Sequence, residues 1–187
     1  MKTLKVRLTS SAPLLMHSGQ LANPQNEFSK QMKVYSSKRK KVDADHEMMA
    51  KIEFMGSLYV NEKGEPVIPG DLITATLVNG AKAAKKGKDF KASVFSTGLF
   101  TLVYDGPKNA EALFADKAFV NQSLVRVQQA RVLRTRPIFN KWSVDVEVSY
   151  LDNVQKSEIM DAFKIAGERV GIGDWRPTYG RFTVEEI

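Results

Sequence analysis

A chain of 187 residues, 43% hydrophobic and 26% charged, is long enough to bury the core of one domain. Its formal net charge of +7 favours a polyanionic partner over an acidic small substrate, because a basic surface attracts phosphate backbones. The absence of cysteine excludes disulfide bonds, cysteine-ligated zinc and thiol catalysis.

The N-terminal segment, MKTLKVRLTS, has the pattern of a strand. It alternates polar and apolar residues and lacks the apolar stretch of a signal peptide. Leu4, Val6 and Leu8 share one face of a half-buried strand over residues 3–10. No segment reaches 18 uninterrupted apolar residues, so we expect a soluble, cytoplasmic protein with no membrane contact.

An inserted segment over residues 20–55 follows this strand and an apolar loop, APLLMHSG. Residues 20–41 contain few apolar side chains and the basic run SSKRKKVD. Two interpretations stay open for them: a solvated, partly disordered insertion, or a basic finger that becomes ordered on a phosphate backbone. Residues 43–54 have the apolar spacing of a helix.

The middle of the chain alternates strand and helix patterns. Residues 57–68, SLYVNEKGEPVI, are typical of a β-hairpin that turns near Gly64. A helix is predicted over 71–86, and its C-terminal lysines complement the helix dipole. Residues 95–104 fit a buried strand, and residues 110–116 fit a short helix.

The C-terminal part completes an alternating order. Residues 119–127 and 142–151 read as strands, a helix spans 154–170 after a cap at Asp152 or Asn153, and RFTVEEI forms a last strand. Without the insertions this order is close to βαββαβ. We therefore expect a single α+β domain over 1–187, with a ferredoxin-like (RRM-like) antiparallel sheet. Helices 71–86 and 154–170 would cover one of its faces.

A glycine-rich turn, GIGDWRPTYG, links the last helix to the last strand. It holds Trp175, Arg176 and Tyr179, and Arg181 follows directly. Glycine lets backbone approach a ligand closely, aromatic rings stack on bases, and guanidinium groups bind phosphates. The structural alternative is a tight turn whose aromatic side chains pack on the sheet edge.

Two further segments concentrate positive charge. The run Lys38–Lys41 lies in the insertion, and residues 117–144 contain six cations and no acid. Arg134 and Arg136 share a face if their segment is extended, which would form a stripe beside the core sheet. The expected nucleic-acid-binding residues are Lys38, Arg39, Lys40, Lys41, Arg126, Arg131, Arg134, Arg136, Trp175, Arg176, Tyr179 and Arg181.

With these segments in place, the chain resembles the RAMP superfamily of CRISPR-associated RNA-binding proteins, and its Cas7-like branch in particular. The loop APLLMHSG is similar to the family's Pro-Leu-His-Gly-like segment. VIPGDLITATLVNGAK is similar to its IPG-S-x-K-G-x-x-R helix start, and GIGDWRPTYGRF to its glycine-rich loop. These features cover about 40 residues.

The chain also departs from the family pattern. Asp71 and Thr74 stand where Ser and Lys are common, and the chain is shorter than most Cas7 backbones. Short phage-borne proteins have a similar ending, so a phage or mobile-element relative and a true effector subunit both stay open.

The resemblance implies a palm domain with an inserted finger or thumb, here residues 20–55. Such a protein binds a single strand and assembles side by side along it, as a homo-oligomer or with CRISPR-type subunits. The glycine-rich loop and the Arg126–Arg136 stripe would then face the strand. A cationic groove that tracks phosphates, with aromatic side chains that stack bases, is physically suited to this role.

Catalysis has little support in the sequence. His17 and His46 are the only histidines, and the group Asp43, Asp45, His46 and Glu47 fits a helix start, where the dipole favours acids. No Walker loop, zinc spacing or Ser-His-Asp arrangement occurs, so no metal or cofactor is expected.

We therefore expect a non-catalytic protein that binds single-stranded nucleic acid, RNA before DNA. Two alternatives stay open. One is an endoribonuclease that uses His17 or His46. The other is a phage-encoded Cas7-like protein that interacts with or inhibits a CRISPR complex, with its basic surface in contact with an acidic protein.

Overall fold

The computed structural model describes residues 1–127 and 129–187, and within these ranges the chain is an α+β protein with antiparallel sheets and six α-helices. The strands are β1 (Lys2–Ser10), β2 (Leu14–Leu15), β3 (Val67–Pro69), β4 (Val94–Phe95), β5 (Leu99–Thr101), β6 (Val120–Val127), β7 (Ala130–Phe139), β8 (Ser143–Tyr150) and β9 (Phe182–Glu186). The helices are α1 (Glu27–Ser36), α2 (Asp43–Ser57), α3 (Gly70–Ala81), α4 (Gly87–Ser93), α5 (Ala110–Ala115) and α6 (Lys156–Ile165).

The main sheet has the strand order β4-β8-β1-β9, and every neighbouring pair is antiparallel. Leu4, Val6 and Leu8 alternate along β1 and are buried, which confirms the half-buried strand expected from the sequence. The facing side chains of β8 are valines, at register positions such as Val6↔Val146. Because side chains alternate across a strand, the other face carries the polar residues and is exposed.

Helices α3 and α6 share one hydrophobic core with this sheet. Ile73 and Leu77 of α3 and Ile159 and Phe163 of α6 have no exposed surface. The two helices approach so closely at Gly80 that an added Cβ would lie 2.2 Å from the carbonyl oxygen of Ala162. The last turns after α6, Ala166–Val170, have π-helical hydrogen bonding and lead directly into the glycine-rich loop.

The remaining strands form two smaller sheets beside the main one. Strands β2, β7 and β6 make a three-stranded sheet in that order, and β3 pairs with β5. Strands β6 and β7 form a long hairpin with eight paired positions, from Val120↔Pro137 to Val127↔Ala130. The α1–α2 helical pair packs against this sheet mainly through α2 and β7.

The inserted segment contains two helices, α1 and most of α2. Helix α1 begins after Asn26, whose side-chain oxygen accepts a hydrogen bond of 2.9 Å from the backbone N–H of Phe28. Helix α2 confirms the helical pattern of residues 43–54. The short helix at 110–116, the strands at 119–127 and 142–151 and the last strand are confirmed as α5, β6, β8 and β9.

The prediction of one buried strand over 95–104 was wrong. The strand is interrupted between Phe95 and Leu99, where the carbonyl oxygen of Gly98 accepts a hydrogen bond from the N–H of Gly70. As a result β4 pairs in the main sheet, whereas β5 pairs with β3. The side chains of Leu99 and Val103 are 58% and 59% exposed, so the segment is not buried along its length. An apolar run does not by itself indicate how many sheets it serves.

Two local predictions also need correction. Helix α6 is capped at Gln155, where Glu158 accepts from the Gln155 N–H at 2.8 Å, and not at Asp152 or Asn153. Helix α3 ends at Ala81, and the 3₁₀ turn Lys82–Ala84 follows it.

The close contact at Gly80 gives a test of the packing between α3 and α6. We expect Gly80→Ala to lower the free energy of unfolding by about 1–3 kcal/mol, as overpacking of a tight core does. Gly19→Ala is the matched control, because nothing lies within 4 Å of its added Cβ. Equal urea midpoints for the two variants would contradict this packing.

Candidate nucleic-acid interface

The glycine-rich loop is fastened to the chain between β1 and β2 by backbone hydrogen bonds. The N–H of Gly180 donates to the carbonyl oxygen of Pro13 at 2.7 Å, and the N–H of Asp174 donates to that of Leu15 at 2.8 Å. Two segments that are about 160 residues apart in sequence are therefore joined into one surface.

Two glycines make this contact possible. Gly173 and Gly180 have φ of +83° and +75°, a region that side chains with a Cβ rarely adopt. A Cβ at Gly180 would lie 1.7 Å from the carbonyl oxygen of Ile172, and one at Gly173 would lie 2.6 Å from that of Leu15. Both the backbone conformation and the close approach therefore require glycine.

Trp175 and Tyr179 stack on one another in this loop. Their ring centroids are 5.8 Å apart and their planes meet at 28°. Trp175 is 46% exposed, whereas Tyr179 is half-buried. The loop was expected to be either a structural turn or a base-stacking site, and the pair has features of both. Tyr179 packs against Trp175, and the exposed indole of Trp175 remains able to stack on a base.

Arg176 lies between the two aromatic residues in the chain, and Arg181 directly follows the loop. Both are exposed, and in the described ranges neither guanidinium group has a hydrogen-bond or ion-pair partner. Arg176 also lines an open cleft of about 550 Å³, together with Trp175, Asn79 and Arg169. Asn79 on α3 and Arg169 in the π-helical turn after α6 were not predicted from the sequence, since neither lies in the glycine-rich loop.

The arginines of β7 are largely engaged within the protein. Arg134 Nη1 donates to Glu53 Oε1 at 2.8 Å, and the backbone N–H of Thr135 donates to the other carboxylate oxygen of Glu53 at 2.8 Å. Arg136 Nη1 lies 3.1 Å from Asp174 Oδ2, and the Arg136 side chain is only 11% exposed. These two ion pairs join β7 to α2 and to the glycine-rich loop.

Arg126 and Arg131 lie farther along the same hairpin. They are directly opposite in the β6–β7 register and both are exposed.

The basic run of the insertion forms the connection between α1 and α2. Lys38 Nζ lies 2.5 Å from Asp45 Oδ1, and Lys41 Nζ donates to the Lys38 carbonyl oxygen at 2.9 Å. Arg39 and Lys40 are exposed and, in the described ranges, have no such partner. The run therefore splits into two structural lysines and two cations directed to solvent.

The acidic group near His46 has a structural role. Asp43 and Asp45 lie in the first turn of α2, and Asp45 Oδ2 accepts from the Val42 N–H at 3.0 Å. The ion pair with Lys38 and this cap lower the pKa of Asp45. Among the described residues no three His, Asp or Glu side chains are grouped so as to hold a metal ion.

His17 lies in a different setting from His46. Its half-buried Nδ1 is 3.2 Å from Ser57 Oγ, within hydrogen-bond distance. Burial lowers the pKa of His17, the positive charge of Arg136 lowers it further, and the negative charge of Asp174 opposes them.

Tyr59 is the second titratable group at this position. Its hydroxyl donates to the His17 carbonyl oxygen at 3.3 Å, and burial together with the charge of Asp174 raises its pKa. Tyr59 was missed because its proximity to His17, across 42 residues, leaves no trace in sequence spacing.

The comparisons with known proteins do not assign the chain. No protein-family model matches the sequence, and no curated protein matches it significantly. Among the described residues, no helix is both long enough and apolar enough to cross a membrane.

The setting of His17 predicts a pH dependence. By NMR titration we expect His17 to titrate below the ordinary value of 6.5, and Arg136→Gln to move its pKa upward. Because the unfolded chain binds this proton more readily, stability should fall as pH drops below 6.5 and level off once the folded pKa is passed.

Arg7→Gln on the exposed sheet face is the control, since it removes the same charge from a position that does not influence His17. A His17 pKa at or above 6.5 in the folded protein would contradict this description of the site.

Proposed function

We propose that this protein binds single-stranded nucleic acid, with RNA as the expected strand, through a Cas7-like fold. One observation carries the proposal: an exposed indole, Trp175, and two guanidinium groups without partners in the described ranges, Arg176 and Arg181, lie in or directly after a loop that backbone hydrogen bonds fasten to the segment Pro13–Leu15. Guanidinium groups pair with phosphates and an indole face stacks on any base, so the combination suits a strand read without strict sequence preference.

The ferredoxin-like assignment is part of the proposal. The core elements follow the chain order β1–α3–β4–β8–α6–β9, which has the pattern βαββαβ. The main sheet places the second and third of these strands side by side, and the first and fourth beside them, in the order β4-β8-β1-β9. This order, with α3 and α6 in one core, supports the RAMP-like interpretation.

The exposed face of the main sheet is a weaker candidate surface. Arg7 Nε lies 2.6 Å from Asp145, and Lys5 Nζ lies 3.4 Å from Glu147, so cations and anions on β1 and β8 neutralise one another. We therefore propose that the nucleic acid binds at the edge of the domain formed by the glycine-rich loop, and not across the open face of the sheet as in an RRM.

Assembly along the strand is also proposed. Leu124 and Leu133 are directly opposite on the β6–β7 hairpin and are 63% and 53% exposed. An exposed apolar pair on a projecting hairpin is suited to contact with a second copy of the chain or with another subunit. A phage-encoded protein that docks on a CRISPR complex would use the same surface.

The loop arginines provide the direct test. We expect Arg176→Ala with Arg181→Ala to weaken binding of a labelled single-stranded RNA at least about tenfold, a loss of about 1.4 kcal/mol. The slope of log affinity against log salt should shrink by about 0.7 for each lost phosphate contact. Fluorescence anisotropy at several salt concentrations measures both quantities.

Lys63→Ala with Lys164→Ala is the matched control, because it removes the same charge from exposed lysines outside the interface. Trp175→Ala separates stacking from charge, since it should lower affinity and leave the salt slope unchanged. Equal affinities for the arginine variant and the lysine control, with circular dichroism unchanged, would refute the assignment of this loop.

A second candidate function is RNA cleavage that uses His17. It is supported by an imidazole whose lowered pKa keeps it neutral near pH 7, as a general base requires, with the Tyr59 hydroxyl and the Arg136 charge nearby. In that mechanism the imidazole would take the proton of a 2′-hydroxyl as its oxygen attacks the adjacent phosphorus. The P–O5′ bond would break, and the leaving 5′-oxygen would take a proton from water.

The cleavage candidate is tested by incubating labelled RNA with the protein in a chelator. Cleavage products lost in His17→Ala and retained in His46→Ala would establish it. If an all-ribose RNA stays intact when the protein concentration is high enough to bind all of it, cleavage is excluded.

A further inference from the structure

A second basic surface lies on the helical side of the molecule, in a segment that the proposed interface does not use. An open groove of about 860 Å³ runs between α3 and α4. Four lysines line it, and Ala75 and Val78 contribute apolar surface between them. The lysines are Lys82, Lys85, Lys88 and Lys91.

These charges are almost uncompensated. All four lysines are exposed, and in the described ranges none of them has an ion-pair partner. Lys82 Nζ donates to Asn79 Oδ1 at 2.7 Å, which is a neutral acceptor. The neighbouring Lys86 is different, because it is paired with Glu158 of α6. Asp71, in the first turn of α3, is the single acid among the residues that line the groove.

Helix dipoles do not account for this cluster. A cation is favoured in the last turn of a helix, which fits Lys82 after α3 and Lys91 in α4. Lys88, however, lies in the first turn of α4, where the dipole opposes a positive charge. Lys85 adopts φ of +61°, a conformation that costs a residue with a Cβ free energy. The C-cap hydrogen bonds from the N–H groups of Lys85 and Lys86 account for the backbone of Lys85, whereas the charge of Lys88 has no such structural reason in its helix.

The groove is continuous with the candidate interface. Asn79 lines both the lysine groove and the cleft that contains Arg169, Trp175 and Arg176. Gly87 keeps the connection between the helices tight, since its added Cβ would lie 2.9 Å from Lys82 Cγ. A nucleic-acid strand that leaves the aromatic loop past Asn79 thus meets a row of cations. One acid lines each cleft: Asp174, which pairs with Arg136, and Asp71.

We propose that the lysine groove between α3 and α4 is an extension of the nucleic-acid site, in which the lysines bind the phosphates of the strand held at Trp175 and Arg176. This inference rests on the proposed function. Lysine acts on phosphate as a point charge, so the groove contributes affinity and salt dependence without reading bases. The bound strand is therefore longer than the loop alone can hold.

Strand length tests the proposal. Anisotropy is measured with single-stranded RNAs of about 6 and about 20 nucleotides, which bracket the roughly 4–16 nucleotides covered by single-strand-binding grooves. The groove variant is Lys85→Gln with Lys88→Gln and Lys91→Gln, and it spares Lys82 because of its bond to Asn79. The charge-matched control is Lys5→Gln with Lys63→Gln and Lys164→Gln.

We expect the groove variant to bind the long RNA at least about tenfold more weakly, with a salt slope smaller by about 2, or 0.7 for each of three contacts. Its affinity for the short RNA should equal that of the control. The Arg176→Ala, Arg181→Ala variant should lose affinity for both lengths.

The remaining outcomes overturn the proposal in distinguishable ways. If the native protein binds both RNAs and the groove variant matches the control on each, the extension is wrong and the loop site stands. If the native protein binds neither RNA, the proposed function fails and the extension with it. Binding of poly-glutamate but not RNA, lost in the groove variant, would assign the groove to an acidic protein.

Discussion

The candidate interface depends on a backbone contact between the two ends of the fold. The loop after α6 lies against the segment Pro13–Leu15 because Gly173 leaves room for the Leu15 carbonyl oxygen. Gly180, at positive φ, leaves room for the carbonyl oxygen of Ile172 within the loop. That contact orients the stacked pair Trp175 and Tyr179 and leaves Arg176 in solvent. The Arg136–Asp174 ion pair adds a third attachment, from the β6–β7 hairpin.

Positive charge has two separate uses in this molecule. Lys86, Arg134 and Arg136 pair with carboxylates and join elements that are distant in sequence, and Lys38 pairs with the nearby Asp45. The cations of the loop and of the α3–α4 groove have no such partners in the described ranges. A cation left in solvent gains little stability from its position, so the second group is the one that a polyanion would explain. Net charge alone could not distinguish the two.

The sequence predicted those elements whose pattern is local. The alternation of Leu4, Val6 and Leu8 and the apolar face of α6 identified a core strand and a core helix correctly. Residues 95–104 were assigned wrongly because an apolar run reads the same in one sheet or two. Site residues could likewise be predicted only where they are close in sequence, as in the glycine-rich loop. The pairing of Arg134 with Glu53 spans 81 residues, and the contact of Tyr59 with His17 spans 42. Such pairings arise from the tertiary fold and leave no periodic signal.

The lysines after α3 show a second way in which local reasoning falls short. Helix-dipole complementarity is a sufficient reason for a cation at a helix end, and it fits some of these residues. Only the three-dimensional arrangement shows that Lys88 lies at the wrong end of its helix and that Asn79 connects the groove to the aromatic loop. Proximity in the fold turns separate surface lysines into one continuous surface.

The most direct test of this account is the binding of the native protein to labelled single-stranded RNA, single-stranded DNA and duplex, measured by fluorescence anisotropy at two salt concentrations. The account predicts tight binding to a single strand, weaker binding to duplex, and a steep loss of affinity as salt increases. The ratio of RNA to DNA affinity would then identify the substrate. Absence of binding to all three at moderate salt would contradict the account and favour an acidic protein as the partner of the basic surface.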